Sequence, residues 1–183
     1  MPRKSVKKPL RDNITGIKNP SIKRIATQAG IKSLSGEIYE EVRGKIKAYV
    51  ETMLQRVSIY LEHAGKKTVT TEDVSAATSD TKYYHDGGGC GCCEDKKYDG
   101  KRSPKTESLN LQIQRLPFFR YLKEVAQDLN TSMKFSEGAV DAIQALTENH
   151  VRKLLRGANI IANHSGRTTV TSKDLNVRDE VCL

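Results

Sequence analysis

Residues His63–Val74 read HAGKKTVTTEDV, and residues His164–Leu175 read HSGRTTVTSKDL. At a constant offset of 101 the two stretches share His, Gly, Thr, Val, Thr and Asp in matching places. Each follows a long amphipathic run and precedes a short apolar one. An internal repeat of this kind sets the architecture before any single residue is weighed. The chain is two copies of one unit joined end to end.

Each copy is about 80 residues long, which is short for a hydrophobic core of its own. Two such halves are expected to share one core. In the first copy, Ile22, Ile25, Ala26 and Ala29 recur at helical spacing after Asn19-Pro20-Ser21, and Gly30 closes a short helix. Ile31–Leu34 is a brief extended loop. Ser35 is the expected cap of a long helix, with Glu37 in its first turn. Ile38, Val42, Ile46, Tyr49, Met53, Val57, Leu61 and Ala64 form one apolar seam along it, ended by Gly65. A helix of about 29 residues, roughly 43 Å long, cannot bury such a seam against short neighbours and needs another long helix across it. Lys67-Thr68-Val69 is extended. Thr70 and Asp73 then form a capping pair for a last short helix.

The second copy repeats the plan. Pro117 opens a short helix with Phe118, Leu122, Val125 and Leu129 inward, and Ser132–Phe135 is its extended loop. Ser136 caps a long helix whose seam is Ala139, Ile143, Leu146, Val151, Leu154, Ala158, Ile161 and Ala162. Gly166 ends it, and Thr171 with Asp174 repeats the capping pair. The fold class expected is all-α. The boundaries are a basic arm at 1–12, units at 13–80 and 108–183, and a linker at 81–107, where Gly87-Gly88-Gly89, Gly100 and Pro104 disfavour helix.

The 183 residues carry a net charge of +9, with 29% charged and 37% apolar residues. Residues 1–80 hold 15 Lys/Arg against 9 Asp/Glu, and residues 1–11 hold five bases and no acid. Such a balance points to a polyanionic partner. No apolar run approaches the roughly 18 residues of a membrane span, and the first residues lack the apolar core of a secretory signal. Three of the four cysteines cluster at Cys90, Cys92 and Cys93. With His85 they suit a tetrahedral metal site poorly, so no metal or cofactor is expected. His63 and His164 have no nucleophile placed beside them in sequence, so no enzyme activity is expected.

Helix, loop, long helix, loop, helix is the plan of the histone fold. Arg11–Ile17 (RDNITGI), Ser35–Gly44 (SGEIYEEVRG), Glu62-His63-Ala64 and Lys67–Thr70 (KTVT) closely resemble core histone four. Leu116–Phe118 (LPF), Glu124–Asp128 (EVAQD), Lys134-Phe135 and Lys173-Asp174 resemble core histone three. Fused in this order, the halves resemble the histone doublets of Marseillevirus-type large DNA viruses. The resemblance implies two histone folds clasped within one chain, with Ile31–Leu34 beside Thr168–Val170 and Ser132–Phe135 beside Lys67–Val69. It implies DNA contacts from Lys23, Arg24, Lys32, Lys66, Lys67 and Thr68 in the first unit. In the second unit it implies them from Arg115, Arg120, Lys123, Lys134, Arg167 and Thr169.

By the same resemblance, His164, Arg167, Asp174 and Leu175 meet a second copy of the chain. Tyr60 and His63 meet a doublet of the histone two-B/two-A type. The implied product is a nucleosome-like particle, in a virion and in a viral factory in the host cytoplasm, with the host nucleus as the alternative compartment. Two departures weaken the expected grip. Ser33 and Gln114 stand where the family usually has arginines. Gly100 and Pro104 spoil the helix that normally precedes Leu109, so a shorter protected DNA length is expected. The alternative function is a histone-fold heterodimer acting as a transcription or architectural factor.

Overall fold

The computed structural model describes residues 13–79, 111–129 and 133–181. The basic arm, the linker with its cysteines, and Ser132 lie outside them. A 3-10 turn (Asn13–Gly16) leads into α1 (Asn19–Gln28), β1 (Ser33–Leu34), α2 (Ile38–Ala64), β2 (Thr68–Val69) and α3 (Thr71–Ser79). The second unit runs α4 (Arg115–Leu129), β3 (Lys134–Phe135), α5 (Glu137–His164), β4 (Thr169–Val170) and α6 (Ser172–Val181).

The two units interlock. Strand β1 pairs in parallel with β4, Ser33 opposite Thr169 and Leu34 opposite Val170. Strand β2 pairs in parallel with β3, Thr68 opposite Lys134 and Val69 opposite Phe135. The Ser35 N–H donates to the Val170 carbonyl at 3.0 Å, and the Ser136 N–H to the Val69 carbonyl at 3.1 Å. These bonds match at the offset of 101, so the units are related by a pseudo-two-fold exchange. Both loop pairings expected from the resemblance are present over their described residues.

The long helices supply the contact that their seams demand. Val42, Ile46, Val50, Met53, Leu54, Val57 and Leu61 of α2 are buried, as are Ile143, Val151, Leu154, Leu155, Ala158 and Ala162 of α5. Residues of both halves belong to one core, with Ile22 and Ile25 of α1 and Phe118 and Leu122 of α4 at 0% exposure. Gly65 and Gly166 stop the long helices at φ +61° and +68°, a left-handed conformation that a side chain disfavours.

Several expectations are corrected. Ser136 caps α5 as expected, accepting the Ala139 N–H at 3.2 Å. Ser35 does not cap α2, which begins at Ile38 after a turn through Gly36 and Glu37. Gly36 occupies the place that Glu137 fills in the second unit, and glycine is a poor first helical residue. Leu129, the last residue of α4, is 37% exposed rather than inward, and Ala64, the last of α2, is exposed. Val50, Leu54 and Tyr121 are buried beyond the expected seams.

Candidate nucleic-acid interface

Each strand pair sets two loops side by side. At the β1–β4 pair, Lys32 is exposed immediately before β1, and Thr169 is half-buried in β4. Arg167 is exposed as well, but its guanidinium is held. Nη2 donates to Asp174 Oδ1 at 2.7 Å, Nη1 to Asp174 Oδ2 at 3.2 Å, and Nη1 to Thr171 Oγ1 at 3.3 Å. The Thr171 N–H and hydroxyl donate to the same carboxylate at 2.9 and 2.8 Å. Burial pushes the Asp174 carboxyl up, and Arg167 with the two Thr171 donors outweighs it, leaving the group below the ordinary aspartate range. Asp174 is therefore an anion that fixes the loop, and Arg167 offers the outward side of a paired cation. An open recess lies beside this loop, lined by Ser35, Gly36, Glu37, Arg167, Ser172 and Lys173.

At the β2–β3 pair, Lys66, Lys67, Thr68 and Lys134 are all exposed. Asp73 repeats the capping role. The Thr70 N–H and hydroxyl donate to its Oδ2 at 2.9 and 2.8 Å. Lys66 stands at the position matching Arg167.

The remaining expected contacts sit on helices rather than on the loops. Lys23 and Arg24 are on the exposed face of α1, and Arg120 and Lys123 on that of α4. Lys123 Nζ lies 4.7 Å from the centroid of the Phe119 ring, a cation–π contact that steadies the side chain. Arg115 opens α4 and bridges to Asp141 at 3.1 Å, so part of its charge is already used. The segment before α1 crosses the first turn of α4, where a Cβ on Gly16 would lie 3.2 Å from the Pro117 Cβ. The Asn13 N–H donates to Glu124 Oε2 at 3.1 Å. The entrances of the two first helices are thus held together.

Four positioning side chains are not legible in the sequence. Arg43 Nε donates to the Ile17 carbonyl at 3.0 Å and its Nη2 to Asn19 Oδ1, fixing the start of α1. Glu148, 1% exposed, accepts the N–H groups of Gln112 and Ile113 at 2.8–3.0 Å. Gln144 adds a bond from Nε2 to the Ile113 carbonyl at 2.8 Å. Together these anchor the approach to α4. Arg152 of α5 reaches Gln28 of α1 at 3.0 Å.

The expected protein–protein residues fall into two kinds. His63 and His164 are exposed at the ends of α2 and α5, and Tyr60 is half-buried. One turn before each histidine stands an exposed isoleucine, Ile59 at 54% and Ile160 at 50%. The two isoleucines match at the offset of 101, and no sequence signal singles them out. Asp174 and Leu175, at 2% and 0% exposure, are inside the chain and can shape a docking face only from beneath.

Two long helices in contact within one core, with each first loop paired to the other unit's second loop, decide the fold. The chain carries the histone fold. Residues 94–177 match the family model of the core histone domain, which spans histones two-A, two-B, three and four. Among solved structures, the histone from Methanopyrus kandleri is similar, with a TM-score of 0.59 at 22% sequence identity. The match covers 88% of this chain and 92% of that one. Coverage of this extent reaches into both halves, so a single chain of that histone follows the path of both histone folds here.

Proposed function

We propose that this chain packages double-stranded DNA without sequence preference. The observation that carries the reading is the double loop pairing, which brings exposed lysines from both histone folds, with Thr68 exposed and Thr169 half-buried beside them, to the two strand pairs that join the units. Such groups grip phosphate oxygens and read no base edges. Lys32, Arg167 and Thr169 serve one strand pair, and Lys66, Lys67, Thr68 and Lys134 the other. Lys23, Arg24, Arg115, Arg120 and Lys123 hold the duplex between them. The match of the rear half to the core histone family supports the same reading.

In this proposal the chain acts as a histone doublet of the Marseillevirus type. It self-associates through the rear histone fold, with Ile160, His164 and Arg167 at the surface and Asp174 and Leu175 beneath. It docks a histone two-B/two-A type doublet through Ile59, Tyr60 and His63. The site of action proposed is the virion and the viral factory in the host cytoplasm.

Nuclease digestion of DNA reconstituted with this chain and its partner doublet tests the reading. A protected fragment independent of sequence, and shorter than that of a eukaryotic nucleosome, is expected. Protection confined to one sequence motif, or no protection at all, would overturn it.

A further inference from the structure

Although the two flanks of this molecule are related by the pseudo-two-fold exchange, their charges are not. One flank is built from residues 13–36 and 149–174, which hold nine Lys/Arg against a single acid, Asp174. The matching flank, residues 114–129, 133–137 and 48–73, holds seven bases and seven acids. Like for like, the net charges are +8 and zero.

The flanks differ more in acids, one against seven, than in bases, nine against seven, and three of the nine bases on the first flank lie on the rear half of α5. Arg152, Lys153 and Arg156 lie there, and no acid occurs between Glu148 and Asp174. Lys153 and Arg156 are exposed, and Arg152 is half-buried. The geometry joins this set to α1. The Arg152 guanidinium donates to Gln28 Oε1 at 3.0 Å and to Asn149 Oδ1 at 3.4 Å. Both partners are neutral amides, so they orient the cation without cancelling it. Arg24 stands one helical turn before Gln28, and Arg156 one turn after Arg152, each about 6 Å along its helix. The result is a cationic ridge that runs from α5 across α1 toward Lys32 and the β1–β4 loops.

We infer that this ridge is a DNA-phosphate surface and that the duplex is held unequally, tightly on the α1–α5 flank and loosely on the α2–α4 flank. The inference rests on the DNA-packaging reading and assigns Arg152, Lys153 and Arg156 to it. A flank of net charge +8 releases many condensed counterions from a duplex, whereas a flank of zero net charge attracts it weakly at a distance beyond one ion pair.

The test compares the full chain with two triple variants, R152Q/K153Q/R156Q and K66Q/K67Q/R115Q, binding a short duplex of arbitrary sequence over a salt series. A double variant, K153Q/R156Q, keeps the Arg152–Gln28 bond in case the first triple fails to fold. Removing one phosphate-bound cation lowers the slope of log K against log salt by about 0.9. The first triple is expected to lower it by about two to three and weaken binding about ten-fold or more at moderate salt. The second is expected to lower it by less than half as much. Equal losses from the two triples, or a smaller loss from the first, would overturn the inference while leaving DNA packaging intact. No duplex binding by the unaltered chain would overturn both. A parallel titration with polyglutamate separates the other source of negative charge. If the α5 substitutions weaken polyglutamate binding and leave the duplex untouched, the ridge serves an acidic protein and the inference fails.

Discussion

Asp174 ties the loop between α5 and β4 to the start of α6 with one carboxylate. It caps α6 through Thr171, holds Arg167 in a two-bonded pair, and is almost wholly inside the chain. Hydrogen bonds to a charged group contribute about 1.5–3 kcal/mol, so Asp174→Asn should destabilise the chain by about that amount in denaturant unfolding. Asp73→Asn should cost less, because the matching arginine is replaced by Lys66. The pH dependence follows from the direction of the shift. The folded carboxyl is held below its unfolded value, so its contribution is complete above the ordinary aspartate range. It is lost as pH falls through the lowered folded value. An acid titration of stability should therefore show the wild type losing more than Asp174→Asn over that window. Parallel curves would show that the pair contributes nothing.

At the scale of elements, the repeat makes the helices legible and also misleads in one place. Ser35 and Ser136 match at the offset of 101, yet only Ser136 bonds its helix. The order Ser-Gly-Glu in the first unit against Ser-Glu-Gly in the second explains the difference, since it puts glycine where the first helical residue would be. Ser136→Ala should cost about 1 kcal/mol, and Ser35→Ala less than about half of that. A thermal melt of each variant decides this, and equal losses would mean that the missing bond at Ser35 has no energetic meaning. The seams of α2 and α5 are readable because apolar spacing is a local signal. Leu129 departs from its seam because a helix end can outrun the core that covers its middle. The partners that Glu148 and Arg152 reach on other segments, Ile113 and Gln28, lie 35 and 124 positions away, and no local pattern encodes them. The loop lysines are readable as a set through the histone resemblance. The α5 cations are not, because the resemblance points to loops and first helices.

The whole molecule behaves as a dimer whose halves are pre-joined. One core draws on both units, and strands from each complete the other's loops. Cutting the chain between residues 79 and 111 should therefore leave the halves associated. Their unfolding midpoint should then rise with protein concentration, as it does for any associating pair, while the intact chain's midpoint stays fixed. Halves that separate and remain folded after cleavage would contradict a shared core.

The exposed Ile160 and His164 lie on α5 just beyond Arg156, and this placement has a mechanical consequence. Should two copies join face to face there, their strongly charged flanks become neighbours at the middle of the assembly. The duplex would be pinned at its midpoint and would peel from its outer margins. A polymerase advancing along it would meet little resistance at first and its greatest barrier halfway across.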